Sequence, residues 1–315
     1  MPTICAIIAC PEGLSSAQEV LHTLCRMTRK PDCTILLTSG LIQSDKRISY
    51  CKEYASINLS FSDATAIDSW EKAFSFAFDR LQADYVWLLD TACRVSATAL
   101  DFLVRNTAPE NPMVIPVSLL TDSDNSEKLS QPVLIESGKS LFAPWKSILN
   151  KKDLPDAQLI PLRGAWIGAL YPRPAYNRLG NPIEKLTLIN DNEEYAWKAK
   201  LAGFRFVLRL DSSISHPSFS HRLLHYNIAG RSFFYEPGLT PQLQYYKMRN
   251  WAWIQRLRKP QKPVLRLVFC GLYIILALNA MLKSNELSIR NAYNMFRALH
   301  NGFYGKLRPY SSEKN

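Results

Sequence analysis

The sequence predicts an α/β protein: a mostly parallel sheet with helices on both faces, followed by a helical C-terminal appendage. Two observations carry the prediction. Short apolar runs suited to buried strands alternate with segments of helical periodicity through the first third of the chain. After residue 237 the composition changes to aromatic, basic and densely apolar.

The elements follow in order. "TICAIIA" (3–9) reads as a buried strand, and Ser15 or Ser16 then caps a helix with Val20, Leu24 and Met27 on one face. "CTILLTS" (33–39) is a second strand and a weaker one is expected over 55–59. A helix opening at Asp68 or Ser69 places Trp70, Phe74, Ala77 and Leu81 together. "YVWLLD" (85–90) is the next strand, and 97–106 is again helical. In such sheets ligands sit beyond the carboxyl ends of the strands, which is where Asp90 falls. A strand over 113–120 leads through a polar stretch to a hairpin within 132–145, and 164–173 is strand-like. The acidic run "DNEE" opens a helix that Gly203 ends, and 204–210 forms a further strand.

Length and charge bound the function. The 315 residues, 47% of them hydrophobic, suit one large domain or a domain with an appendage. Residues 238–315 carry thirteen Lys or Arg against Glu286 and Glu313, which equals the net charge of +11 for the whole chain. A balanced body over 1–237 therefore precedes a basic region over 238–315, which suits a polyanionic partner. The seven cysteines are scattered without a C-x-x-C pair, and the start lacks a secretory pattern, so a reducing cytoplasm is expected. The run over 264–282 nearly reaches the length of a bilayer span but is interrupted by Arg266 and Asn279. An interfacial helix, with Trp251 and Trp253 at the headgroup level, is the expectation, and a core helix is the alternative. No nucleic-acid reading module is present, so nucleic acid is not the expected partner.

The strand ending at Asp90, "WIGALYPR" with Trp166 and Gly168, "INDNEEYAWKAKLAGFRFVL", "SHP" with His216, "YYKMRN" and "FRALHNGFYGKL" occur in an order that resembles family 2 glycosyltransferases. The likeness is to the bacterial rhamnosyl- and galactofuranosyl-transferase branch, and it implies a GT-A fold. It further implies a nucleotide-sugar donor, a lipid-linked glycan acceptor, a divalent metal (Mn or Mg) and a role in surface polysaccharide such as O-antigen. The expected location is peripheral, on the inner face of the bacterial cytoplasmic membrane. By resemblance Asp90 and His216 hold the metal; Asp90, Trp166, Gly168 and Arg249 face the donor; and the acids Asp191, Glu193 and Glu194 form the base region. A diphosphate leaving group gathers negative charge that a cation offsets, and the acceptor hydroxyl needs a base. The chain departs from the family where Thr91 and Ala92 follow Asp90 and where Asn192 replaces the expected base. Two readings follow: a transferase with a thinned metal site, or an inactive homologue that needs no metal and serves as binding or assembly partner of an active transferase.

Overall fold

The computed structural model describes residues 1–10, 14–38, 44–60, 70–105, 112–136, 145–157, 159–162, 164–183, 186, 191–217, 224–228, 231–258 and 263–308. These residues fall into two compact units. The first comprises the described parts of Met1–Ser140, Pro144–Pro182 and Tyr195–Ser218, the second those of Leu141–Ala143, Ile183–Glu194 and Phe219–Asn315.

The first unit begins with β1 (Ile4–Cys10), α1 (Gln18–Cys25), β2 (Cys33–Thr38), α2 (Ser44–Glu53), β3 (Leu59–Ser60), α3 (Trp70–Ser75), which continues as a π-helical turn over Phe76–Arg80, and β4 (Tyr85–Asp90). It goes on with β5 (Arg94–Val95), α4 (Ala99–Arg105), β6 (Val114–Asp122), β7 (Lys128–Glu136), β8 (Trp145–Asn150), β9 (Leu159–Leu162), β10 (Leu170–Pro172) and α5 (Arg173–Leu179). Next come α6 (Asp191–Leu201), of which the part from Tyr195 belongs to this unit, and β11 (Arg205–His216).

One sheet has the order β10-β4-β1-β2-β3, with β1 parallel to β2 and to β4 and with β10 antiparallel. The apolar runs make strands because both faces are covered, and the two-residue repeat sorts their side chains. Cys5, Ile7, Ile35, Leu37, Val86 and Leu88 pack with Phe74 and Phe78 in one core, whereas Ile4, Ala6, Ile8, Leu36, Trp87 and Leu89 pack with Val20, Leu21 and Leu24 in the other. A second sheet has the order β5-β11-β6-β7-β8, with β9 also on β11, and a single bridge between Val117 and Ala169 joins β6 to the chain just before β10.

Three expectations change. Ser15 and Ser16 lie inside a 3-10 turn, Leu14–Ala17, and the N-cap of α1 is Ala17, with no side-chain cap bond. Over 55–59 the chain forms a 3-10 turn, Ala55–Ile57, closed by left-handed Asn58 (φ 45°), so only Leu59–Ser60 is strand. Asparagine tolerates that conformation, and the apolar Ile57 is an anchor of the turn, not part of a pleat. Over 164–173 only Leu170–Pro172 is strand, because Gly168 turns the chain at φ +79°. A Cβ there would also lie 3.3 Å from that of Ser118. The expected hairpin is present as antiparallel β7 and β8, with its turn outside the described residues, as is the expected helix start at Asp68 or Ser69.

The second unit contains a hairpin of β12 (Leu224–Ile228) and β13 (Arg231–Tyr235), followed by α7 (Pro241–Arg258), α8 (Pro263–Lys283) and α9 (Ile289–Phe303). No described helix is long and apolar enough to cross a membrane. Along α8, Cys270, Tyr273, Ala277, Ala280 and Met281 are buried while Val268, Ile275 and Leu282 are exposed. Trp251 corrects the expectation of a headgroup anchor: it is buried in this unit's core, 4.3 Å from the Tyr273 ring and edge-on to it. An aromatic pair of this kind contributes beyond its area alone.

Candidate functional site

Asp90 ends β4, and β4 pairs in register with β1 up to Ala9, so its carboxylate stands at the carboxyl edge of the parallel sheet. Three bonds hold that carboxylate. The Ala92 N–H donates to Oδ1 at 3.0 Å, the Cys93 thiol donates to the same oxygen at 3.2 Å, and His216 Nε2 lies 2.9 Å from Oδ2. Thr91 and Ala92 therefore form a tight turn that folds Cys93 back under Asp90.

His216 arrives from 126 residues away by way of an irregular strand. β11 pairs in parallel with β6 as far as Arg209 opposite Ser118, then resumes with Ser213 opposite Leu119. The extra residues are pinned by Ser212, whose Oγ donates to the Ala99 carbonyl at 3.0 Å and meets Ser118 Oγ at 2.8 Å. Bulges of this kind re-aim the strand beyond them. Here the shifted register sets His216 beside Asp122, a buried carboxylate whose Oδ1 accepts the Asp124 N–H at 3.0 Å.

The electrostatics follow from burial and partners. His216 is 3% exposed and Asp90 23%. Burial disfavours the imidazolium, but the hydrogen bond and charge of Asp90, with the Pro217 carbonyl, outweigh it and raise the His216 pKa above its ordinary value. Burial also pushes the Asp90 carboxyl up, and His216, Cys93 and the Ala92 N–H more than reverse it, leaving the pKa lowered. Cys93 is fully buried, and burial together with the Asp90 charge pushes its thiol well up.

Ligand atoms of Asp90, Cys93 and His216 lie within 4.8 Å of one another. Whether a hard divalent ion fits is decided by the histidine. Nδ1 lies 2.8 Å from the Pro217 carbonyl, which can only accept, so Nδ1 carries a proton. In the neutral ring Nε2 is then a lone pair facing a carboxylate oxygen, and two acceptors at 2.9 Å require a positive charge on the line between them or beside both. A proton or a metal ion satisfies that need, and the backbone carbonyl on the far nitrogen is the usual support of a histidine ligand. An octahedral ion with ligands at about 2.1 Å has an edge of about 3 Å, the separation these atoms keep. Asp90 and His216 thus fit Mn or Mg as a thin protein set. Cys93 does not, since a protonated thiol is a poor ligand for a hard cation, and its service is to orient Asp90.

Of the other residues expected at a site, Trp166 is 6% exposed and packs against Trp70, Phe74, Tyr171 and Tyr195 at ring separations of 4.9 to 5.9 Å. Gly168 is buried, donates its N–H to the Leu88 carbonyl at 2.8 Å and accepts from Ser118 N at 3.0 Å. Both lie within the first unit's interior. Arg249 is not on a solvated face: it is 2% exposed in the second unit, held by Asn250 Oδ1 and the Arg308 carbonyl at 2.6 to 2.9 Å. Glu194 is fully buried, and Asp191 and Glu193 are in the first turn of α6 with side chains outside the described residues. Sequence reasoning misses Cys93 and Asp122. The spacing of Cys93 three residues after Asp90 is readable, whereas Asp122 becomes a neighbour of His216 only through the bulged register.

No protein-family model matches the chain, and no match to it is found among curated proteins. Solved structures do match. The crystal structure of GalNAc-T7 with UDP, GalNAc and Mn2+ superposes with a TM-score of 0.54 at 16% identity, covering 80% of this chain and 47% of that one. The mannosyltransferase PcManGT from Pyrobaculum calidifontis, in complex with GDP-Man and Mn2+, gives 0.53 at 13% identity, covering 97% of this chain and 87% of that one. The chain spans about half the length of the first of these relatives. The fold is the GT-A fold of glycosyltransferases.

Proposed function

We propose that the chain is a glycosyltransferase that takes a sugar from a nucleotide diphosphate donor, with Asp90 and His216 holding a divalent cation. The observation behind the reading is the approach of Asp90 Oδ2 and His216 Nε2 to 2.9 Å where the parallel sheet ends. The cation, when bound, offsets the charge that builds on the departing diphosphate. The protein's own part is positional. Cys93 and the Ala92 N–H fix one carboxylate oxygen and leave the other to the site, while the Pro217 carbonyl fixes the imidazole. Because Asp90 is the one carboxylate of the cluster, a bound cation would need the donor's phosphates to complete its coordination. On sequence order, Asp191 or Glu193 takes the proton of the acceptor hydroxyl, and Glu194, wholly buried, does not.

The resemblance to the rhamnosyl- and galactofuranosyl-transferase branch supports a role in bacterial surface polysaccharide, with a lipid-linked acceptor. Calorimetry of the full chain against a panel of UDP-, GDP- and dTDP-sugars, with and without Mn2+, tests the core of the proposal. At least one donor is expected to bind in a metal-dependent way. Silence across the panel would favour the inactive homologue, retained as a partner of another transferase.

A peripheral place on an anionic membrane accords with the second unit. Residues 238–315 within it carry a charge equal to the net charge of the whole chain, and α8 exposes Val268, Ile275 and Leu282 seven residues apart on one stripe. Each basic residue near an anionic surface contributes about 1 kcal/mol. Flotation with vesicles containing phosphatidylglycerol is expected to carry the protein up at low salt, and the triple change of these residues to glutamate to leave it at the bottom. Equal flotation of both proteins would refute the assigned face.

A further inference from the structure

The helical unit contains a pocket of about 150 Å³ that the transferase reading does not use. It lies between the start of α7, the end of α8 and the first half of α9, and Gln244, Asn294, Glu286, Tyr235, Met281 and Met295 line it. Its polar groups are unusual. Both polar atoms of Gln244 and the Nδ2 of Asn294 are buried with no hydrogen-bond partner among the described residues. Asn294 itself is 9% exposed. Buried amides are normally paired, and one whose oxygen and nitrogen both lack a partner points to a group that arrives from outside.

The lining also says what that group is. Glu286 is held in place by the Tyr235 hydroxyl, which donates to Oε2 at 2.6 Å, and by the Gly238 N–H on Oε1. A fixed carboxylate disfavours phosphate and carboxylate ligands. Primary amides offer a donor and an acceptor side by side, the pattern that adjacent hydroxyls on a ring satisfy. The two methionines and the tyrosine ring give an apolar wall for the C–H face of such a ring. The volume admits a single ring and not a chain. We propose that this pocket binds one neutral sugar ring, with Gln244 and Asn294 bonding its hydroxyls. The site belongs to the second unit, whereas Asp90 and His216 belong to the first, and it does not depend on whether that pair holds a cation.

Saturation-transfer NMR of the full chain tests this with methyl glucoside, methyl galactoside, methyl rhamnoside and N-acetylglucosamine, and with inorganic phosphate as the anionic control. At least one neutral sugar is expected to bind with a Kd on the order of 1 mM, as suits a ligand of this size. Phosphate should not compete, and neither EDTA nor Asp90→Ala should alter the affinity. Gln244→Met removes an amide that bonds nothing among the described residues, so it is expected to weaken sugar binding at least tenfold while raising the melting temperature of the free protein. No binding by any of the four sugars would overturn the proposal. So would a Gln244→Met protein that melts lower and binds sugar unchanged, since the amide would then serve buried water.

Discussion

Asp90→Asn is expected to leave the fold intact and to lower Mn2+ affinity by about a hundredfold, with sugar transfer falling by roughly 10²–10³, the usual loss when a group that stabilises transition-state charge is removed. The amide fills the same space and can still meet His216 Nε2, so stability changes little. What goes is the charge. Asp90 is the one carboxylate in the Asp90, Cys93 and His216 cluster, and no second acid follows it at Thr91 or Ala92 to compensate. Cys93→Ala should act less severely, by about ten- to a hundredfold, because the thiol only donates to Oδ1 and holds the carboxylate's angle. Titration with Mn2+ followed by electron paramagnetic resonance measures both. An Asp90→Asn protein that binds the ion and the donor as the wild type does would remove the metal role from this pair.

The parts of the fold that are legible in the sequence are those where burial on both faces leaves a local mark. β1, β2 and β4 are continuous apolar runs because the sheet is covered on both sides, and Gly203 stops α6 with φ +90°, as a helix-ending glycine should. Asp90 can be placed at a strand end by the same logic. His216 cannot be tied to it by spacing, since the two are brought together only by the bulge in β11, and the order of family motifs is what joins them. Aromatic residues mislead in a consistent direction. The sequence suggests that Trp166 faces a donor and Trp251 a membrane, yet each is buried against other rings, because a large apolar ring is worth more inside a core than at its edge. Arg249 is hidden for the opposite reason. A buried guanidinium is rare, and the carbonyl of Arg308, the amide of Asn250 and the Tyr246 ring 4.8 Å away, none of them predictable from sequence, help to make it tolerable.

Gly302→Ala is expected to cost about 3 kcal/mol and to lower the melting temperature by roughly 10 °C. A Cβ on Gly302 would lie 2.2 Å from the Arg249 carbonyl oxygen, 2.6 Å from the Ala252 Cβ and 2.9 Å from the Trp253 nitrogen. None of these can swing aside, for two are backbone atoms of α7 and the third is the first carbon of a side chain. The helices α7 and α9 must therefore part, and what they carry must part with them. Phe303 would lose its contact with the Trp251 ring at 6.3 Å, and Asn301 Nδ2 its bond to the Tyr245 hydroxyl at 2.8 Å. A matched control isolates this cause. Gly271 lies inside α8 with nothing within 4 Å of where its Cβ would be, so Gly271→Ala should stabilise by about 0.5–1 kcal/mol through helix propensity alone. Hydrogen exchange at the α7 and α9 amides on warming reports the helical unit, and the Mn2+ binding proposed for Asp90 and His216 reports the other unit. Loss of exchange protection in Gly302→Ala with Mn2+ binding retained would show a fault confined to helix packing. A variant that melts with the wild type would mean that the two helix backbones do not approach as closely as their small residues, Ala252, Ala298 and Gly302, allow.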